Sequence, residues 1–409
     1  MTTVMESLAS FRVVVLHGAR QVGKSTLARA VGHQIGAEYV TFDESADLTA
    51  AVNDPATYLD TLGTPLVLDE VQRAGDSLVV AVKRVVDGDR RAGRYLLTGS
   101  TNFLTVPAIA EKLAGRVDIV PLWPFSAGEL SGGTDTFIDR AFAAFAGLVG
   151  HTGGVPTRDE YLEQVCRGGY PEVQHLTGRA QRRWFSAYVK TVLQREVEVA
   201  ADIRRADALE TMARLVMAST SQELVISALA ARAGIDRATA STYEPWLETA
   251  FLVHRVPAWS RNLTAKVVHR PKLFAVDTGL AAGMLGKEAS ALRRPNDPAV
   301  GPLVETFVTN EITKQLGWSE TGARLYHFRD NDGPEVDLVL EADDGRVLAL
   351  EAKATSTPRP EDARWLALLR ERLDASGGEF VGGVVFHTGG RRLPLGDRLI
   401  ALPIADIWT

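Results

Sequence analysis

The apolar and polar positions divide the chain into stretches of different rhythm. Over residues 1 to about 130, short apolar runs alternate with segments of helical spacing. Val13 to Leu16, Ala37 to Asp43, Pro65 to Asp69 and Gly93 to Ser100 are runs of strand length, apolar enough to be buried in a parallel sheet. Between them, Thr26 to Val31 and Asp54 to Leu62 read as helices, the second capped by Asn53 or Asp54. Ser77 to Asp87 carries Leu78, Val79, Val82, Val85 and Val86 at helical spacing. This alternation predicts an α/β domain over 1–130, a parallel sheet with helices on both faces. Ligands of such sheets gather at the carboxyl ends of the strands.

Residues 131–292 change to a mostly helical pattern. Phe137 to Leu148 and Gln181 to Val199 are helix-like, and Cys166-Arg-Gly-Gly-Tyr-Pro-Glu172 is a Gly/Pro breaker between them. From about 221 to 258 the order is helix (Leu224 to Ala233), turn (Gly234-Ile-Asp236), helix (Arg237 to Ala250) and strand (Phe251 to Val256). That is a winged-helix outline, with Arg237, Thr239, Ser241 and Thr242 placed to face DNA; protein contact is an equally open use of it. Arg293 to Pro302 holds three prolines and reads as a linker. A compact block over 293–409 follows: helix Leu303 to Leu316, strands Leu325 to Arg329 and Glu335 to Glu341, an Asp343-Asp-Gly345 hairpin turn, strand Val347 to Lys353, helix Glu361 to Ala375 and a final strand Phe380 to Phe386.

Composition narrows the classes. At 409 residues the chain is long enough for two or three domains, and 45% hydrophobic with 23% charged residues is globular. The net charge of −6 gives no overall basic signature, so any DNA or RNA contact must rest on local patches. The single cysteine, Cys166, excludes an internal disulfide and suits a reducing compartment. No apolar run reaches membrane-spanning length and the N-terminus lacks a basic, then apolar, signal pattern. A cytoplasmic protein with no membrane partner is the expectation.

The chemistry concentrates in Gly18-Ala19-Arg20-Gln21-Val22-Gly23-Lys24-Ser25, followed by Thr26. Strand before, glycines within and helix after make the full phosphate-binding loop. Its backbone N–H groups cradle phosphate oxygens, and the helix N-terminus adds positive potential. Lys24 neutralises β- and γ-phosphate charge, and Ser25 ligates Mg²⁺. The apolar strand ending in Asp69-Glu70 supplies a carboxylate for Mg²⁺ (Asp69) and one to orient or activate water (Glu70). ATP and Mg²⁺ are thus the expected cofactors. Thr98, Ser100 and Asn102 are candidate sensors of the γ-phosphate. Arg116 is a candidate for the γ-phosphate of its own or a neighbouring subunit, the latter requiring a homo-oligomer.

A second constellation lies in the last block. Glu351 and Lys353 are two apart in a strand and share a face, Asp337 lies across the hairpin, and Glu305 reaches in from the preceding helix. In an α-β-β-β-α-β block this grouping matches a restriction-endonuclease-like fold. Asp337 and Glu351, with Glu305 nearby, would hold a metal, and Lys353 would support the nucleophile. The alternative is a closed charge network, with Lys353 and Arg329 balancing the acids, in a catalytically silent domain.

Taken together, Gly18 to Ser25, Leu68-Asp-Glu-Val-Gln72, Leu96-Leu-Thr-Gly-Ser100, Leu113-Ala-Gly-Arg116, Gly168-Gly-Tyr-Pro-Glu172, Pro271 to Gly279, Glu335-Val-Asp337 and Glu351-Ala-Lys353 resemble the prokaryotic AAA-type ATPases that carry a C-terminal domain of unknown function, family 4143. The resemblance spans nearly the whole sequence. It implies ATP binding and hydrolysis, and leaves the cellular task open between a nucleic-acid-acting ATPase and a switch acting on a protein partner.

Overall fold

The computed structural model describes residues 1–99, 113–133, 135–150, 154–199, 206–260, 270–294, 296–330 and 333–409. The chain forms two compact units, Met1–Pro124 with Thr249–Phe251, and Phe125–Glu248 with Leu252–Thr409.

In the first unit, β1 (Val13–Gly18), β2 (Glu38–Thr41), β3 (Leu66–Asp69), β4 (Tyr95–Gly99) and β5 (Val117–Leu122) form one all-parallel sheet in the order β2-β3-β4-β1-β5. The apolar runs are not alternating because the central strands are covered on both faces. Successive side chains still part by the strand period of two. Val13, Val15, Leu66, Leu68, Tyr95 and Leu97 enter one core with Leu78, Val82 and Val86 of helix Asp76–Gly88. Val14, Leu16, Val67 and Leu96 enter the other, with Val4 and Leu8 of helix Thr2–Ser10 and Ala28 and Val31 of helix Lys24–Ile35. The Asp54 cap accepts the Thr57 N–H at 3.1 Å. The order of strands matters for function, since β4 stands between β1 and β3.

The second unit holds both the helical stretch and the C-terminal block. Three strands, β6 (Gln222–Glu223), β7 (Val253–Val256) and β8 (Lys272–Ala275), form an antiparallel sheet in the order β6-β8-β7. Helices Ala206–Ala218, Ile226–Ala233 and Arg237–Thr249 accompany it. The C-terminal block is a mixed six-stranded sheet: β9 (Ala323–Arg329), β10 (Glu335–Ala342), β11 (Val347–Lys353), β12 (Phe380–His387), β13 (Leu393–Gly396) and β14 (Leu399–Pro403), ordered β13-β14-β12-β11-β10-β9. Helix Arg364–Ala375 places Leu366, Leu369 and Leu373 in its core beside Val336, Val339 and Val385.

Two expectations change here. Phe380 to Phe386 is not the last strand: the apolar run Leu399-Ile-Ala-Leu402 adds β14, parallel to β12, and β13 folds back on it. The proline-rich stretch 293–302 is not an open spacer. Helix Val300–Gln315 begins inside it, with Pro302 in the first turn, where the missing N–H has no helical partner to lose. Lys287 donates to Asp297 at 2.7 Å just upstream.

That helix explains why 131–292 and 293–409 fall in one unit. Glu311 accepts the Ala127 N–H at 2.7 Å. The Asn310 amide donates to the carbonyls of Ala275 (3.0 Å) and Val276 (3.1 Å). Gln315 donates to the Ile407 carbonyl at 2.6 Å, and Lys314 to that of Phe125 at 2.9 Å. Buried polar groups must be satisfied, so each bond ties a distant segment to the same helix.

Candidate functional site

β1 delivers the loop Gly18–Gly23 to the carboxyl edge of the sheet, and helix Lys24–Ile35 starts directly after it. Two glycines there are geometrically required. A Cβ on Gly18 would lie 2.1 Å from the Leu122 carbonyl oxygen of the adjoining strand. Gly23 has φ +96°, in the region that favours glycine. Gln21 also turns left-handed, at φ 60°. Ala19 and Val22 are buried and anchor the loop, while Gln21 and Thr26 are exposed.

Lys24 is 5% exposed, and its ammonium donates to the carbonyls of Gly18 (3.0 Å) and Ala19 (2.7 Å). Burial pulls its pKa down to about 8, against the opposing carboxylates of Glu70 and Asp69 and with help from Arg20. His17 is driven to about 4 by burial and by Lys24, so its imidazole is neutral at physiological pH.

Asp69, at the end of β3, is the hub. Its carboxylate accepts the hydroxyls of Ser25 (2.9 Å), Tyr39 (2.7 Å) and Thr98. Thr98 reaches it because β4 lies next to β3, and the Thr98 oxygen also accepts the Glu70 N–H at 3.0 Å. Glu70 adopts a left-handed backbone, φ 59° and ψ 41°, and its carboxylate accepts from the Gln72 amide. For a non-glycine residue that conformation costs roughly 1–2 kcal/mol, and it turns the chain sharply at the strand end.

Lys24, Ser25, Asp69, Glu70 and Thr98 therefore lie along one edge. Tyr39 was not singled out in the sequence. Its hydroxyl fastens Asp69 from β2, and the Arg29 guanidinium lies 4.7 Å from its ring centre. Only the adjacency of β2 and β3 reveals it. Ser100 and Asn102 lie outside the described residues.

Of the two roles expected for Arg116, the fold bears on the one in its own subunit. Its carbonyl accepts the Val13 N–H at 3.2 Å, at the start of β1, whereas the phosphate loop follows the end of that strand. Six residues of strand, at about 3.3 Å each, put roughly 20 Å between the two edges. The side chain pairs with Asp87 and donates to the Ala114 carbonyl at 2.8 Å. A role on the γ-phosphate of its own subunit is excluded by that distance.

The second constellation is gathered in the C-terminal unit. β10 and β11 pair with Leu338 opposite Leu350, which brings Asp337 beside Glu351. The β9–β10 register slips between Val336 and Val339, so β10 bulges at Asp337. Bulges of this kind re-aim a side chain. One Asp337 oxygen accepts the Ala352 N–H at 2.9 Å. Glu351 accepts the Lys353 ammonium at 2.6 Å and the Asp337 N–H at 3.4 Å. Glu305 arrives from helix Val300–Gln315 as expected from the spacing.

The residue not anticipated is Lys272, on β8. Its ammonium lies 2.8 Å from Glu305, 2.7 Å from Glu335 and 3.8 Å from Asp337, and its side chain is 2% exposed. Burial lowers its pKa, but the three carboxylates more than reverse this and hold it well above the ordinary lysine value. Burial, then the Asp337 charge, pushes Glu305 and Glu351 up to about 8. The donor set does not fit the expected divalent ion. One Asp337 oxygen and both Glu351 oxygens accept N–H donors, and the Lys272 ammonium stands 3.8 Å from the other Asp337 oxygen. Among the described residues, no three Asp, Glu, His or Cys side chains are arranged to hold a metal.

Other motifs behind the resemblance prove to be packing. The Asp277 carboxylate accepts the Gly169 N–H at 2.6 Å and caps helix Thr278–Met284 through Leu280 at 2.8 Å. A Cβ on Gly168 would meet that carboxylate at 2.1 Å. Among the described residues no helix is long and apolar enough to cross a membrane.

The first unit is a P-loop nucleotide-binding domain by its sheet and by its loop. Sequence comparison agrees: residues 10–131 match an AAA domain, 158–291 a domain of unknown function (DUF8612) and 300–407 a domain of unknown function (DUF4143). The chain belongs to the AAA-type P-loop ATPases with a C-terminal DUF4143 domain. Uncharacterized proteins of Mycobacterium tuberculosis and Mycobacterium bovis are 30% identical to it over 400 residues, which is 97% of this chain and 81% of theirs. Among solved structures, a Walker-type ATPase of Pyrococcus abyssi is similar at 15% identity and a TM-score of 0.43, over 69% of this chain and 94% of that one.

Proposed function

We propose that this protein is a Mg²⁺-dependent ATPase whose hydrolysis works as a conformational switch, with a C-terminal unit that is catalytically silent. The observation that carries the ATPase reading is the hub at Asp69, which joins Ser25, Thr98 and, through Thr98, the Glu70 backbone at the edge where the phosphate loop ends.

The Ser25 hydroxyl and the Asp69 carboxylate are adjacent hard oxygen donors, the kind Mg²⁺ takes. The ion, when bound, neutralises charge on the β- and γ-phosphates. Lys24 exchanges its two loop carbonyls for phosphate oxygens, and the loop N–H groups hold the β-phosphate. Glu70 accepts the proton of the attacking water as the bond from the γ-phosphorus to the bridging oxygen breaks, giving ADP and phosphate. Thr98 keeps Glu70 and Asp69 in fixed relation through that step.

A second reading, nucleic-acid action, is favoured by one feature. Helix–strand–helix–helix–strand–strand, with the sheet order β6-β8-β7, supports a winged helix, and Arg237, Ser241 and Thr242 on its last helix are exposed. The order of helix Val300–Gln315, β9, β10, β11, helix Arg364–Ala375 and β12 supports a restriction-endonuclease-like fold, but not catalysis.

The test is nucleotide binding by calorimetry together with phosphate release, with and without single- and double-stranded DNA and RNA. Lys24→Ala should abolish turnover, and Glu70→Gln should keep binding and lose turnover at least ~100-fold. Equal turnover in Glu70→Gln and wild type sinks the assignment of the base. Stimulation by nucleic acid that Arg237→Ala removes favours the second reading.

A further inference from the structure

We propose that Lys272 is a tethered cation, filling the acid cluster of the C-terminal unit in the place a divalent metal would take. The cluster draws Glu305 from a helix and Glu335, Asp337 and Glu351 from two strands, and Lys272 comes from a separate sheet. An ammonium has three donors and no acceptor, and three carboxylates face it here. A metal within a few ångströms would meet a fixed positive charge in a buried site, where like charges repel most strongly.

The position of Lys272 is built, not incidental. It lies in the middle strand of its sheet, opposite Glu223 on β6 and Val256 on β7, so its backbone is fixed from both sides. The remaining charges are also accounted for. Lys353 is held by Glu351 at 2.6 Å, and Arg329 lies 3.7 Å from Glu335 and 3.8 Å from Glu223. The bond from Lys272 to the acids therefore ties β8 to helix Val300–Gln315 and to β10. A strand belonging to the winged-helix-like module thus keeps the nuclease-like cluster closed. This deepens the silent reading of the C-terminal unit, and it can fail without touching the ATPase reading, because its measurement uses no nucleotide.

The experiment is Mn²⁺ titration of the full-length, nucleotide-free chain, followed by electron paramagnetic resonance. Asp69→Asn identifies any ion at the phosphate-loop site. Wild type should show no ion that Asp337→Asn removes. Lys272→Met, which keeps the apolar stem, should gain one Mn²⁺ per chain at least tenfold tighter than wild type, and Lys272→Met with Asp337→Asn should lose it. Lys272→Arg keeps the charge and should stay empty. A wild-type ion lost in Asp337→Asn overturns the proposal, and so does a folded Lys272→Met that gains nothing. Should Lys272→Met not fold, Lys272→Met with Glu305→Gln removes one of the uncompensated charges and reads the same gain or its absence.

Discussion

The Thr98 hydroxyl bridges Asp69 and the backbone of Glu70: it donates to the Asp69 carboxylate and accepts the Glu70 N–H at 3.0 Å. One side chain on β4 thereby sets the spacing between the residue assigned to the metal and the residue assigned to the water. Thr98 is fully buried, so nothing else replaces the bond when it is lost. Thr98→Val keeps the shape and deletes the hydroxyl. We expect turnover to fall ~10–100-fold, or about 1.4–2.7 kcal/mol, with ATP affinity within a few-fold of wild type. Steady-state kinetics beside calorimetry gives the split. Unchanged turnover would mean that Glu70 is held by other contacts.

Tyr39 acts on the same carboxylate from the other side, at 2.7 Å. It reaches no phosphate edge of its own, so its effect should pass through Asp69. Tyr39→Phe should raise the Mg²⁺ concentration needed for half-maximal turnover by ~3–10-fold, about the net worth of one ordinary hydrogen bond. Turnover at saturating Mg²⁺ should stay near wild type. A loss that Mg²⁺ does not rescue would place Tyr39 in the chemical step instead.

Arg116 sits at the far edge of the sheet from the phosphate loop, paired with Asp87. The remaining proposal for it is action in a neighbouring subunit. That arginine contact is worth ~10³–10⁵ in rate where it operates. Arg116→Ala should then lose turnover steeply, and mixing it with inactive Lys24→Ala chains should restore part of it, since each would supply what the other lacks. Wild-type turnover in Arg116→Ala at every protein concentration would leave Arg116 as a partner of Asp87 alone.

How much of this was legible beforehand follows from what each feature depends on. The phosphate loop, Asp69-Glu70 and the β-strand runs are local: a few consecutive residues carry the pattern, and burial on both faces makes Val13 to Leu16 uniformly apolar. Asp337, Glu351 and Lys353 lie together because strand periodicity and one hairpin fix their faces, and Glu305 joins them from the preceding helix. Tyr39 and Lys272 were not legible: Tyr39 acts across the β2–β3 pairing and Lys272 across two separate sheets, neither of which sequence spacing encodes. For Arg116 the sequence leaves its own and a neighbouring subunit equally open, since only the direction of β5 decides which edge it occupies. The proline stretch 293–302 misled because Pro302 is tolerated in a first helical turn.

Lys24 links nucleotide binding to pH. With a pKa near 8 in the free protein, it loses its charge in the mildly basic range. The phosphates of ATP favour the ammonium, so the pKa rises on binding. A ligand that prefers the protonated form binds at full strength below the free-state pKa and weakens as pH rises through it. ATP affinity should therefore be flat from about pH 6.5 to 7.5 and fall up to tenfold per unit above about 8. Near pH 9, binding should also take up close to one proton, seen as a calorimetric enthalpy that varies with the buffer's heat of ionisation. Above about pH 8, where the fall is expected, the phosphates of ATP are fully ionised and add no slope of their own. Lys24→Arg stays charged at all these values and should flatten the profile, whatever its absolute affinity. A wild-type affinity constant up to pH 9.5, with no proton uptake, would show that Lys24 remains charged in its carbonyl cradle at Gly18 and Ala19.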